Sequence, residues 1–452
     1  MHPTDSPPRT GLVSLDQLRG AVVDRHINAV TPVIPDMHGL LKGKRVAADF
    51  FLDQVEKQGD AAGEVCSYLL ATDRRMTVTA ASKYGITGWI QGFQDMSLQP
   101  DLDTIRFMPH TPGVALVHCD AVDADGQRIA IAPRELLRRQ LELLKDQGYE
   151  IRIGWESEFL LHDGPRPVTR HNADYALNLP PKVSDFFHGL ERALFDADTP
   201  VEAFKGEGAP GQLEVTFPYG EAMRACDNYT VYRQTLQHIA EQRGLRVNFM
   251  AAPTDETGNG LHLHLSLWQG GEPAFASGHD GDLPQPLEDA IGGLLTSLPD
   301  LAPLWAPVPN SYKRFRPHSF APLYMNWGDD HRGCALRMTG HGRGRHLELR
   351  VAGADANPYL VAVSAIAGIL RGVREKIAPP PPCPGDAYRD YGSPRLHRDL
   401  VEAHRAFMSS DFTLTALGAS VLHHYGVAAQ HEIDVHRELV SDVERLRGDI
   451  RA

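Results

Sequence analysis

The sequence predicts an α+β protein built in two unequal parts, and three observations lead there. Its 452 residues exceed what one small core requires, so two units, or one large unit with an appendage, are expected. Roughly the first quarter alternates short apolar runs with turn signals, whereas the remainder mixes helical and strand periodicities. At 42% hydrophobic and 23% charged residues, the chain resembles an ordinary globular protein rather than a disordered one.

Taken in order, residues 1–14 are polar and proline-rich and read as a frayed tail. Residues 15–122 form the sheet-rich unit, with runs such as NAVTPVIPDMHG (28–39) and GVALVHCD (113–120) between Gly, Pro and Asp clusters. A turn at Asp123-Ala124-Asp125-Gly126 opens the second unit, 123–452. Pro133 starts a helix whose leucines at 136, 137, 141, 143 and 144 share one side and which Gly148 stops. EIRIGWESEFLL (150–161) reads as a strand, 221–244 as a helix, and RVNFMAAP and LHLHLSLW as strands. Asn357-Pro358 reads as an N-cap and first helical position before the apolar run YLVAVSAIAGIL. The proline-rich connector APPPPCPG (378–385) then leads into a helical C-terminal region.

Charge and cysteine usage narrow the function. A net charge of −13 argues against general nucleic-acid or anionic-membrane partners, which need a basic surface. The five cysteines, 66, 119, 226, 334 and 383, are scattered and lack CxxC spacing. Neither a disulfide scaffold nor a zinc ribbon is expected, and a reducing cytoplasm is the natural compartment. No signal-like N-terminus or membrane-length apolar run is visible.

Four clusters carry chemistry. Glu156 and Glu158 share one face of a predicted strand, because strand side chains alternate; seen alone, such a pair is usually a solvated face. Glu207 and Glu214 flank a turn built on Gly208, Pro210 and Gly211, which can bring two carboxylates together. His262, His264 and Ser266 face one way while three leucines pack the other, although two strand histidines are as often mere surface. Arginines gather from Arg314 to Arg350, among them Arg316, Arg332, Arg337, Arg343 and Arg345, and guanidinium groups grip carboxylate or phosphate bidentately. Many carboxylates with an imidazole suit magnesium or manganese better than zinc. With arginines alongside, they make a phosphoryl-transfer set. No Walker A pattern is present.

The order of these motifs resembles the glutamine synthetase family. ExE, E…PGQxE, NGxHxHxS, NSYKR…AP…W…R…R and ExR followed by ANPYL run in series, and DMHGLLKGKR (36–45) looks like the family's N-terminal segment. The resemblance implies a β-grasp N-terminal domain and a catalytic domain whose curved antiparallel sheet lines a funnel. It also implies a homo-oligomer, most often a dodecamer of two stacked hexameric rings, with sites between neighbouring subunits. By motif position, Glu158, Glu207 and Glu214 would hold one Mg2+ or Mn2+ ion, and Glu156, His262 and Glu348 a second. Glu202, His264, Ser266 and Arg337 would contact ATP. Arg314, Arg350 and the Asn259-Gly260 backbone would hold glutamate. Arg332 and Arg337, with Arg314, would act on the transferred phosphate. The implied chemistry activates the γ-carboxylate of glutamate as an acyl phosphate, which a nitrogen nucleophile then displaces.

Two departures bear on that nucleophile. Ammonium-using members carry a glutamate before the AP dipeptide, where RFRPHSFAP (314–322) places Phe320. The N-terminal loop ASKYGITGW has Ser82 where the family supplies an aspartate. Losing two carboxylates removes the partners that offset ammonium dehydration and adds apolar surface. RVAGADANPYL (350–360) likewise resembles γ-glutamyl-amine ligases. The expectation is an organic amine, such as a polyamine, ethanolamine or an alkylamine, in place of ammonium; a glutamine synthetase with an atypical base and a non-catalytic paralogue are the alternatives. Asp330-His331-Arg332 stands where the family has Asn-Arg, and the adenylylation motif is missing around Tyr388.

Overall fold

The computed structural model describes residues 11–57, 62–77, 81–276 and 283–449. Among them the chain forms two sheets flanked by helices. In the N-terminal sheet, Ala29–Pro35 pairs in parallel with Val114–Val122, and Asp95–Pro100 pairs antiparallel to the latter. The apolar runs that predicted these strands are buried, Val114–Val122 along its whole length. The same region also holds two helices that strand alternation did not predict, Leu15–Val23 and Ala48–Lys57. Ser14 and Gln17 form a capping box on the first, satisfying two backbone donors reciprocally.

The helix expected at Pro133 runs Pro133–Asp146, with Leu136, Leu137 and Leu144 buried and Gly148 in the left-handed region just beyond. Glu150–Asp163 and Leu261–Gln269 form long strands, whereas the strand read over 246–253 shortens to Leu245–Asn248. Beyond Asn248 the chain turns away from the sheet, and the Asn248 side chain accepts from the Met250 N–H. Helix Pro358–Glu375 is buried almost throughout. The Asn357 side chain caps it by accepting from Tyr359 N, and its Nδ2 donates to Asp36 O and Met37 O at 3.2 Å each. One side group thereby secures a helix start and joins the two halves of the chain. This helix packs so closely on Gln285–Ser297 that a Cβ on Gly372 would stand 1.8 Å from Asp289 O.

A buried charge cluster reinforces the junction. Arg134 donates to Asp101, Asp120 and Asp227 at 2.6, 2.8 and 2.9 Å, and Tyr359 donates to Asp227 at 2.6 Å. Removing one partner from such a set costs about 3–5 kcal/mol, because the charge left behind stays buried. No helix is long and apolar enough to cross a membrane among the described residues.

Candidate active site

The larger sheet runs in the order Ala203–Gly206, Gln212–Thr216, Glu150–Asp163, Leu261–Gln269, His346–Leu349, Leu336–Thr339 and Trp327–Asp329. Along Glu150–Asp163, Trp155, Ser157 and Phe159 turn into the core, where Ser157 Oγ meets Tyr229 OH at 3.1 Å. Glu156 and Glu158 therefore point the other way. Register then places Glu214 opposite Glu158, His262 opposite Glu156, and both His264 and Arg337 opposite Glu348. Motifs separated by up to two hundred residues thus meet on one face of five adjacent strands.

One group centres on Glu156. Its Oε2 lies 3.0 Å from His262 Nδ1 and its Oε1 lies 3.0 Å from His264 Nε2. His262 Nδ1 is also 3.5 Å from Glu348 Oε1. Donor atoms of Glu156, His264 and Glu348 all fall within 4.8 Å of one another. Burial alone would raise the Glu156 carboxyl, but the two imidazoles hold it far below the usual range. Burial also opposes ionisation of Glu348, yet Arg350, His262 and His264 hold it down at about 2. Glu348 accepts from Arg337 at 2.7 Å and from Arg350. His264 Nε2 is thus buried directly against the Glu156 carboxylate.

The second group contains Glu158, Glu207 and Glu214, joined by a residue the sequence reading missed. Lys205 contacts Glu207, reaches Asp174 at 3.0 Å and stands 3.7 Å from Glu214. Its ammonium stands in for a cation among the carboxylates. Burial and then the neighbouring Glu156 and Glu158 push the Glu214 carboxyl up to about 9, with Lys205 opposing. Such an excess of carboxylate charge fits divalent cations, and a donor set rich in oxygen with imidazole fits Mg2+ or Mn2+. Lys205 was legible in principle, since it lies two residues before Glu207.

A cavity of about 300 Å³ adjoins the first group and gathers Glu202, His264 and Ser266 with Glu156. Arg152, stacked 3.5 Å over the Trp268 ring, forms part of its wall. Arg345 also lines it, with Nε and Nη1 buried and lacking a hydrogen-bond partner. A guanidinium in the wall of a cavity suits an anionic ligand such as a polyphosphate. Arg337 does not line this cavity; it donates to Glu348 and to Asp330, the latter at 2.5 Å.

The residues expected to hold glutamate are engaged with neighbouring groups of the chain. Asn259 is fully buried: its Nδ2 donates to Met250 O, its Oδ1 accepts from Gln212, and its backbone N–H donates to Ala251 O. Gly260 N donates to Glu158 Oε2 at 2.7 Å. These two residues position Glu158 and leave no N–H group free for a ligand. Arg314 donates to Arg350 O at 3.1 Å and to Val351 O at 3.4 Å, and burial lowers its guanidinium to about 10. Arg350 is turned towards Glu348 and Phe320 O. Both arginines therefore brace the main chain around the site.

Arg332 is exposed and lines a second cavity with His318, Phe320, Asp386 and Tyr388. His318 and Phe320 both adopt left-handed backbone, with φ of 60° and 58°, a conformation such residues hold only when their surroundings impose it. The Phe320 side chain is 66% exposed. Asp386 is occupied in capping Tyr388 N at 3.0 Å. The Ser82 side chain lies outside the described residues.

Comparison with known proteins gives a consistent set. Residues 130–447 match the family model described as glutamine synthetase, catalytic domain. The chain is 37% identical to the γ-glutamylethanolamide synthetase GlnA4 of Streptomyces coelicolor, covering 97% of this chain and 96% of that one. It is 29% identical to a glutamate–isopropylamine ligase of a Pseudomonas species, over 95% and 97% of the two chains. A solved GmaS/ADP complex superposes with a TM-score of 0.84 at 22% identity, covering 95% of this chain and 98% of that one.

Proposed function

The chain belongs to the glutamine synthetase family, and from that premise we propose that it is an ATP-dependent ligase joining the γ-carboxylate of glutamate to an organic amine. The observation that carries the choice of nucleophile is Phe320, an exposed ring where ammonium-using members place a carboxylate. A bare aromatic surface offers nothing to offset the dehydration of ammonium but favours an alkyl group. Two relatives that span almost the whole chain are named for ethanolamide and isopropylamine ligation, which supports the same reading.

In this reading, Glu158, Glu207 and Glu214 hold one divalent ion, and Glu156 and Glu348 hold another with His262 or His264. Bound there, Mg2+ or Mn2+ would neutralise the phosphate oxygens of ATP. The nucleotide occupies the cavity of Glu202, His264, Ser266 and Arg345. Arg345 brings a guanidinium to the wall beside the polyphosphate, and Trp268 with Arg152 forms a flat wall. Arg337, fixed by Glu348 and Asp330, holds positive charge beside the site of transfer, and exposed Arg332 supplies more at the second cavity. The γ-carboxylate of glutamate attacks the terminal phosphorus of ATP, ADP leaves and a γ-glutamyl phosphate forms; the neutral amine, seated near Phe320, then displaces phosphate and gives up a proton to leave the amide. Stabilisation is electrostatic and preorganised, because the charged groups are fixed before substrate arrives. Assembly as a stacked-ring dodecamer belongs to the same proposal.

The test is ATP-dependent phosphate release with glutamate and each of ammonium, ethanolamine, isopropylamine and a diamine, with the amide identified by mass. At least one amine should exceed ammonium in kcat/KM. Ammonium outperforming every amine would overturn the reading in favour of a glutamine synthetase.

A further inference from the structure

Beside the second cavity, three side chains outside the ligase chemistry converge. His331 and Cys334 sit on the turn joining Trp327–Asp329 to Leu336–Thr339, and Cys383 sits in the proline-rich connector. One donor atom from each lies within 4.8 Å of the other two. Both thiols are free, Cys334 fully buried and Cys383 partly so. We propose that His331, Cys334 and Cys383 form a binding site for a thiophilic d10 cation, Zn2+, separate from the oxygen-rich sites for Mg2+ or Mn2+.

The surroundings hold the donors in place. Cys383 N donates to Trp327 O at 2.8 Å and the Trp327 indole donates to Pro380 O at 2.7 Å. The connector is thus pinned to Trp327 at Pro380 and at Cys383 itself. His331 Nε2 lies 2.7 Å from Gly385 O, so the proton on Nε2 is donated there. That leaves Nδ1 with the lone pair, now accepting only the Gly333 N–H at 3.1 Å. A histidine whose second nitrogen donates to a carbonyl is the usual arrangement behind a metal ligand, since it fixes the tautomer and the ring. Two glycines keep the cluster tight. A Cβ on Gly328 would stand 2.7 Å from His331 Cβ and 3.3 Å from Cys334 Sγ, and one on Gly333 would stand 3.1 Å from Ala387 Cβ.

Two sulfurs and one imidazole suit zinc, whereas magnesium and manganese prefer the carboxylates of the other sites. On binding, each thiol releases its proton to solvent and Nδ1 exchanges the Gly333 N–H for the ion. The ion would join the turn bearing Arg332 to the segment bearing Asp386 and Tyr388, both of which line the Phe320 cavity.

Cobalt(II) provides the probe, because thiolate-to-cobalt charge-transfer absorption reports sulfur ligation and the carboxylate sites contain no sulfur. The full-length chain, kept reduced with a phosphine and saturated with Mg2+, should develop this absorption at one equivalent of Co2+ and lose it to added Zn2+. Cys334→Ser and Cys383→Ser should abolish it, and Cys66→Ser should leave it unchanged. His331→Ala, a change at a half-buried position that spares the fold, should weaken Co2+ affinity by more than the roughly 10–100-fold cost of removing an outer hydrogen-bond partner. Absence of the absorption in the unaltered chain overturns the site, as does its survival in either serine variant or undiminished affinity in His331→Ala. Because the readout is independent of turnover, failure of the ligase reading would not mimic failure of this one.

Discussion

Replacing Glu348 by glutamine should cost the metal-free protein about 3 kcal/mol at neutral pH. Glu348 is fully buried, between Arg337 at 2.7 Å and Arg350. Its carboxyl falls from 4.5 to about 2 on folding, and at about 1.4 kcal/mol per pH unit that difference amounts to roughly 3 kcal/mol. Glutamine keeps the shape but strands two guanidinium groups beside an uncharged amide. Breaking a buried pair in this way typically costs about 3–5 kcal/mol, so two independent routes agree. The sign follows from the depressed value: the stabilisation is complete above pH 4.5 and disappears as pH falls to about 2. The assay is urea unfolding of both proteins with a chelator present. Protein concentration is held fixed because subunit association would add its own term. A difference below about 1 kcal/mol at neutral pH, or one that persists unchanged into acid, would refute the reasoning.

Other outcomes test neighbouring parts of the site. Phe320→Glu should raise kcat/KM for ammonium relative to the best alkylamine; an unchanged ratio would remove Phe320 from amine selection. Glu158→Ala strips the carboxylate that Gly260 N and Gln212 hold at 2.7 and 3.2 Å, and phosphate release should fall almost to background; substantial residual turnover would overturn its assignment as a metal ligand. Burial lowers His118 to about 4, so only the unfolded chain takes up a proton below pH 6.5. Stability should therefore drop by up to about 3 kcal/mol between pH 6.5 and 4. His118→Gln should flatten that slope in denaturant titrations, and an equally steep slope would show that other groups dominate.

The parts of the site that the sequence made legible are those governed by local periodicity. Alternation put Glu156 with Glu158 and His262 with His264, and the structure keeps each pair on one face. Alternation says nothing about which strand lies beside which. The grouping of Glu348 with Glu156 and His262 therefore depended on the family resemblance, and only register set His264 and Arg337 opposite Glu348. For Asn259 the motif named a backbone contact, and only the structure shows its buried amide bonded to Met250 O and Gln212. Cys334 and Cys383 read as isolated because 49 residues separate them, and only the pinned connector brings them together. The helices Leu15–Val23 and Ala48–Lys57 went unseen because turn signals around them were louder than their short apolar stripes.

The cross-strand register also determines where this enzyme can tolerate insertions and deletions. Losing a single residue within Glu150–Asp163 would exchange the orientation of every side chain beyond the lesion, sending Ser157 outward and a glutamate into the space beside Tyr229. The strands opposite would lose their partners in the same event. No such constraint applies to the stretch from Phe315 to Phe320, which belongs to no ladder among the described residues. A change of length in that loop would leave the register of Glu156, His262 and Glu348 untouched.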